Sequence, residues 1–519
     1  MWQSQTVHNA QNNKENQAQR ADDKLMTLGM TSAISAALPK PADLVKTKEL
    51  EESLKPFGVF ETEQELNQRM LILGKLYNLV KQWIKEVSLK HNMPESVAEN
   101  VGGKVYTFGS YRLGPGFFSK KFRIPWTCDD NLLKKLDQKC VRSLNGCRVT
   151  DEILRLVPNI ENFRLALRAI KLWAKRHGIY SNALGYLGGV SWAMLVAKRA
   201  SYTQTQRPLP LVHKFFLIFS KWQWPQPVLL KQPSNVNLGF AVWDPRVNIQ
   251  DRYHLMPIIT PAYPQQNSTF NVSQSARHIM MEEFKAGLHT TDDIMLGKCT
   301  WNKLFEPPPF FTKYKHFIVL LVTGNSGDHL EWCGLVESKV RLLIGNLERN
   351  QFITLAHINP ENFSMLESQK EPNSHCSMWF IGLEFAKMEN LNVNLTRDIQ
   401  IFTETVINHA VTIQMFKTGM GLEARHVKRK QLTQYLSLSL IRRERKLSIT
   451  NRVNGTTENR KRLSAEAAGT DGEAPIKKTR LSEDMTPNFD DSSNASINDS
   501  NSNLKRRNLR PTSVQTLFP

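Results

Sequence analysis

The sequence predicts an α+β multidomain protein, and three stretches carry that prediction. Residues 161–176 combine helical spacing with an unusual charge stripe. From Asp129 to about Ser220 the pattern is helical throughout, with apolar residues returning at intervals of three and four. From Trp301 to about Lys430 apolar strands alternate with amphipathic helices, the order of a small split βαβ unit. The 519 residues suffice for two to four domains with ample core.

Taken in order, residues 1–45 form a polar leader rich in Gln, Asn, Lys and Asp, expected to be disordered and carrying no apolar stretch of the secretory kind. From Glu61 to His91 the spacing of Leu66, Met70, Leu73, Tyr77, Val80, Ile84 and Val87 predicts a long helix, and that stripe is expected to be core. Val101 to Gly114 changes character. Lys104-Val105-Tyr106-Thr107-Phe108 is β-prone, and Gly109-Ser110 follows, so a strand ending in a tight serine-bearing turn is expected. Between Pro115 and Cys128 there is no acidic residue and neither a twofold nor a helical period.

The stripe of residues 161–176 asks for an anionic ligand. At about 100° per residue, Arg164, Arg168, Lys171 and Lys175 fall on one narrow line, while Phe163, Leu165, Leu167, Ile170, Leu172 and Trp173 wrap the other sides. A solvated surface helix would show a broad polar arc instead. The expected picture is a mostly buried helix whose four cations line a cleft. Unit charges about 4 Å apart interact by roughly 4 kcal/mol at an effective dielectric near 20, enough for such a line to hold a triphosphate or a nucleic-acid backbone. Gly178 is placed as the helix C-cap. Ile179 to Asn182 is expected to turn, and Gly188-Gly189 to open the next helix, where backbone N–H groups can approach a ligand closely.

Residues 221–275 read as loop-rich, with Trp243-Asp244-Pro245-Arg246 and Asp251-Arg252-Tyr253-His254 as a packed polar junction. Beyond Trp301, a strand at Phe317–Val322 precedes a helix with Leu330, Cys333, Val336, Val340, Leu343 and Leu347 on one face. Strands at Phe352–Ile358 and Met378–Phe385 and a helix near Asp398–Ala410 follow. No aromatic RNP string is present, so base stacking on the sheet is not expected. Past Lys430 the chain becomes rich in Ser, Asn, Glu and Lys and is expected to be disordered. Basic clusters at 428–430, 442–446, 459–462, 477–480 and 505–507 fit nuclear import signals or RNA-backbone contacts. The net charge of +20 favours a polyanionic partner. The longest apolar runs are too short to span a bilayer, so no membrane partner is expected. The six cysteines lack C-x-x-C spacing, which indicates neither a disulfide framework nor a structural zinc site.

Several long stretches together resemble eukaryotic nuclear poly(A) polymerase. They are Lys55–Glu61, Gly102–Gly114, Arg142–Glu152, Lys171–His177, Leu187–Leu195 and Tyr253–Asn267, spread over roughly residues 50–430. The resemblance implies a polynucleotide adenylyltransferase that adds AMP from ATP to mRNA 3′ ends. It further implies a leader (1–45), a polymerase β-like nucleotidyltransferase domain (46–128, truncated), a helical central domain (129–300), an RRM-like RNA-binding domain (301–430) and a disordered basic tail (431–519). By the same resemblance Lys171, Lys175 and Tyr180 contact ATP phosphates and sugar, Gly189 and Val190 the nucleotide, and Phe108, Gly109 and Ser110 the opposite wall. The implied partners are ATP, the RNA 3′ end, mRNA 3′-processing factors and a nuclear import receptor, with the nucleus as compartment. The family's Mg²⁺ (or Mn²⁺) ions need an Asp-x-Asp pair and a third Asp, and no Asp-x-Asp occurs in the 519 residues. Pro115 to Cys128 stands where those ligands belong, a pattern that exon skipping or a mis-assembled gene leaves. Asp129 and Asp130 match a different acidic pair of the family and are not assigned to metal. The chain as written is therefore expected to be catalytically inactive. The alternative is a non-catalytic RNA-binding or scaffold isoform that competes for RNA or for 3′-processing partners.

Overall fold

A computed structural model describes residues 41–113, 130–200, 208–233, 236–365, 374–387 and 393–449. The irregular stretch at Pro115–Cys128, Asp129 and the basic clusters beyond 450 lie outside these residues. Helix α1 (Pro41–Leu54) starts inside the expected leader and buries Leu50 and Leu54. Helix α2 (Glu63–Lys90) opens on a capping box in which the Glu65 N–H donates to Thr62 Oγ1 and the Thr62 N–H to the Glu65 carboxylate.

Two expectations fail in this region. The α2 stripe is not core: Met70 and Tyr77 are exposed, Leu66, Leu73, Val80, Ile84 and Val87 are only half-buried, and Ser88 is the helix's one buried residue. Residues 101–108 form no strand, and Ser110–Leu113 is a single helical turn. Both corrections have one cause. A β-prone segment becomes a strand only beside a partner, and an apolar helix face is buried only against a sheet or another helix. Among the described residues, 101–108 has no strand partner, and α2 packs mainly against the four-residue helix Glu95–Ala98.

The helical layer that follows is well packed. It comprises α3 (Gln138–Leu156), α4 (Ile160–Arg176), α5 (Gly189–Ala200), α6 (Pro208–Phe219) and α7 (Gln274–Met295). Trp173 of α4 sits at its centre, with ring centroids 4.7 Å from Phe216, 5.8 Å from Trp192 and 5.9 Å from Phe284. Residues 221–233 and 236–273 are irregular, as expected, apart from a 3₁₀ helix at Ile249–Tyr253. In the polar junction Trp243 Nε1 donates to His254 Nδ1 at 3.0 Å, the Asp244 N–H to Asp251 Oδ2 at 3.0 Å, and Arg252 Nε to the Pro245 carbonyl at 2.6 Å. Every one of these groups is spent on holding the loops together.

The last described region is an antiparallel sheet in the order β2-β4-β1-β5, with the two-residue β3 (Phe363–Ser364) beside β4. Its strands are β1 (His316–Asn325), β2 (Ile353–Ile358), β4 (Ser374–Phe385) and β5 (Gly421–Lys428). Helices α8 (His329–Arg349) and α9 (Thr396–Thr412) connect β1 to β2 and β4 to β5. Leu330 is exposed, and Trp332 takes the core position instead, its indole N–H donating to the Gly421 carbonyl at 3.1 Å. The face opposite α8 is filled by aromatic packing. Phe311 meets Phe380 at 5.1 Å and Phe363 at 5.5 Å, and a Cβ on Gly382 would lie 2.2 Å from the Tyr314 ring. Those rings are committed to the core and have no free face for a base.

The first part of the stretch expected to be disordered, 431–449, is structured. Residues 438–449 form helix α10, whose buried Glu444 accepts the Phe311 N–H at 2.6 Å. The basic cluster 442–446 therefore lies on a docked helix. Burial pushes the Glu444 carboxyl up to about 7, against the opposing pull of the Phe311 N–H. A raised folded-state pKa means the stabilisation is complete below the unfolded value and is lost as pH rises through about 7. Glu444→Gln keeps an acceptor without a charge. The expected result is a difference in stability between wild type and Glu444→Gln that grows from pH 5 to pH 8 by up to about 3 kcal/mol, in the variant's favour. Urea midpoints at the two pH values measure it.

Candidate nucleotide-binding site

The site is assembled at the C-terminal half of α4. Gly178 follows the helix in the left-handed region at φ +67°, and the Ile179 N–H reaches back to the Ala174 carbonyl at 2.9 Å, closing the end as a Schellman cap. Residues 179–181 form no turn, and the turn comes at 182–185, later than expected. Asn182 pins this turn: its side-chain amide donates to the Ser268 carbonyl at 3.2 Å, and its oxygen accepts from Asn271 at 3.1 Å. Gly189 opens α5, as expected.

This geometry gathers most of the residues singled out from the sequence. Lys171 Nζ donates to Ser110 Oγ at 2.9 Å, across 61 positions of chain. The ring of Tyr180 lies beneath both amines, 5.4 Å from Lys175 Nζ and 6.0 Å from Lys171 Nζ. A Cβ on Gly189 would sit 2.8 Å from the Tyr180 hydroxyl, so only glycine lets that ring lie over the start of α5. Phe108 packs against Gly146 of α3, with its ring otherwise exposed, and Val190 is exposed beside Gly189. Burial and then the neighbouring Lys175 charge hold the Lys171 amine below its usual range. Two amines this close, one half-buried, favour a bound anion.

The other half of the cation stripe is used differently. Arg164 pairs with Glu161 at 2.7 Å and donates to the Leu113 carbonyl at 3.3 Å, while Arg168 lies over the Phe60 ring at 4.9 Å. Of the four cations of the stripe, Lys171 and Lys175 gather at Tyr180, while Arg164 and Arg168 turn to Glu161 and Phe60. Sequence reasoning also missed what fixes the Gly109-Ser110 turn. Gly109, at φ +63°, donates its N–H to Thr150 Oγ1 at 3.3 Å, and Arg112 forms an ion pair with Asp151. Arg142–Glu152 contains both α3 partners, but nothing in their spacing points to residue 109 or 112.

The acids near this site are already paired. Asp151 is taken by Arg112, Asp130 by Arg148, and Glu152 by Lys231. Among the described residues no group of three or more His, Cys, Asp and Glu side chains converges to hold an ion. These residues do not fit a two-metal centre. Cys140, Cys147, Cys299, Cys333 and Cys376 are free thiols. No helix of the described residues is long and apolar enough to cross a membrane.

Three family models match the chain in succession. Residues 29–120 and 126–157 match the poly(A) polymerase nucleotidyltransferase domain, 162–307 the poly(A) polymerase central domain, and 309–371 with 365–446 the poly(A) polymerase predicted RNA binding domain. The chain is 38% identical over 492 residues to a poly(A) polymerase of Dictyostelium discoideum, an alignment covering 80% of this chain and 60% of that protein. It is 36% identical over 479 residues to nuclear poly(A) polymerase 1 of Arabidopsis thaliana, covering 79% and 66%. The chain thus spans somewhat less than two thirds of the length of these relatives.

Proposed function

We propose that this chain, which belongs to the poly(A) polymerase family, binds ATP and RNA but cannot itself transfer adenylate. Adenylyl transfer to RNA 3′ ends belongs to a form of the protein that carries the carboxylates absent here. The observation that carries the nucleotide half is the bond from Lys171 to Ser110, with Lys175 and Tyr180 alongside. In this reading Lys171, Lys175 and Tyr180 take the phosphates and sugar. Gly189 and Val190 contact the nucleotide, and Phe108, Gly109 and Ser110 form the far wall. Titration of labelled ATP tests it. Lys171→Ala removes a charged donor from a half-buried site, where such bonds contribute roughly 1.5–3 kcal/mol, so affinity is expected to fall about tenfold or more. Gly189→Ala should also weaken binding, by displacing the Tyr180 hydroxyl. Unchanged affinity in Lys171→Ala would overturn the assignment.

RNA is assigned to the basic surface of the helical layer and of the C-terminal unit, read as RRM-like from the β-α-β-β-α-β connectivity that remains when the two-residue β3 is set aside. Because the rings on one sheet face are buried, contacts should be to phosphate and binding should weaken steeply with salt. Titrating labelled RNA from about 50 to 200 mM salt measures the slope. A flat profile would favour stacking or base-edge recognition. The Arabidopsis thaliana relative is named as nuclear, and the basic clusters suit an import receptor, so the nucleus is the proposed compartment. The absence of any Asp-x-Asp favours a second role, as a non-catalytic competitor for RNA or for 3′-processing factors.

A further inference from the structure

We propose that α2 joins two copies of this chain in an antiparallel helix pair. Soluble monomers rarely expose a contiguous apolar patch of more than a few hundred Å². Here Leu71, Leu79 and Trp83 are 70%, 62% and 60% exposed, with Ile72, Leu76 and Tyr77 beside them. Within this face one line of residues repeats at alternating steps of three and four, the seam of a two-helix coiled coil. Its centre is apolar (Ile72, Leu76, Leu79, Trp83), and its two ends carry charge.

The order along that line identifies the occupant as a second copy. About a twofold axis between Tyr77 and Asn78, an antiparallel partner sets Leu76 against Leu79 and Ile72 against Trp83. The same register sets Arg69, which within the chain pairs with Glu61, against Glu86, and Glu65, whose carboxylate takes the Thr62 N–H, against Lys90. Every apolar residue meets an apolar one, and every charge meets its opposite. Such self-complementarity is what an isologous interface requires. A parallel pair fails the same check, because each charge would face itself. The groove of about 330 Å³ lined by Leu79, Trp83 and Glu86 lies within this face and can receive the opposing Ile72. The 28-residue helix is about 42 Å long, so side-by-side pairing reaches the roughly 1,200 Å² at which specific interfaces begin.

Sedimentation of the full chain across a concentration series decides the matter. A single step from 59.5 kDa to twice that mass is expected. Leu76→Glu with Leu79→Glu changes two exposed positions and should give monomer at all concentrations with unaltered helix content by circular dichroism. Lys90→Glu sets like charges opposite Glu65 and should weaken dimerisation, whereas a parallel pair would leave it unweakened. Monomer at every concentration would overturn the proposal, as would a series of higher oligomers. A dimer indifferent to both variants would overturn it too.

Discussion

In Mg²⁺ and ATP, the purified chain is expected to extend an oligo(A) primer no more than its own Lys171→Ala variant does. The expectation rests on the acids. Two-metal phosphoryl transfer needs hard oxygen ligands that converge on one point. No Asp-x-Asp occurs in the sequence, and Asp130, Asp151 and Glu152 are each held by a cation. Recruiting Asp151 would break its pair with Arg112 and release the turn that carries Ser110. Each 1.4 kcal/mol of lost transition-state stabilisation is a factor of ten in rate, and metal ions supply several kcal/mol. The loss should therefore be complete within the sensitivity of a gel. ATP titration of the same preparation separates a chemical defect from an unfolded one, since it reads binding at Lys171 and Tyr180 without any transfer step. Processive tailing above the Lys171→Ala level would overturn the expectation.

How much was legible in the sequence depended on whether a segment's structure is decided locally. Helix α4 was legible because a cation line on an apolar cylinder has one helical solution, and β1 because a continuous apolar run must be buried on both faces. Strand β5 escaped notice: Gly421–Lys428 is an edge strand, polar along most of its length, and such edges carry little hydrophobic pattern. Lys104–Phe108 shows the reverse error, since β propensity reports a fit to a pleated surface that this chain does not provide. Leu330 matched the period of α8 yet lies in the first turn, beyond the reach of the sheet.

The site divides in the same way. The Lys171 and Lys175 stripe, the Gly178 cap and the Gly189 helix start follow from spacing and from backbone chemistry. The partnership of Lys171 with Ser110 does not. It depends on Thr150 and Asp151 presenting the Gly109 turn from α3, about 40 positions away. Family resemblance put Lys171 and Ser110 on opposite walls of one site, whereas the four-cation reading came from spacing. Spacing alone cannot tell that Glu161 and Phe60 occupy Arg164 and Arg168.

Hydrogen exchange on the full chain is expected to divide the molecule sharply. Phe317–Val322 is bonded on both sides, to Gly382–Ser377 in β4 and to Val427–Leu422 in β5, and its side chains are buried. Its amides can exchange only by opening the sheet, at a cost approaching the global stability of roughly 5–15 kcal/mol. Val105–Phe108 has no ladder, and its side is half-exposed. Those amides need only a local fluctuation. A difference of at least about a thousandfold in protection, equivalent to ~4 kcal/mol, should separate the two segments. Helix α2 should fall between them: its backbone bonds are internal to the helix, but little tertiary packing supports them. Dimerisation through its exposed face would raise its protection with concentration while leaving Val105–Phe108 unchanged. Equal protection of Val105–Phe108 and Phe317–Val322 would mean that residues 101–108 are paired after all, and that the missing strand partners are not what exposes α2.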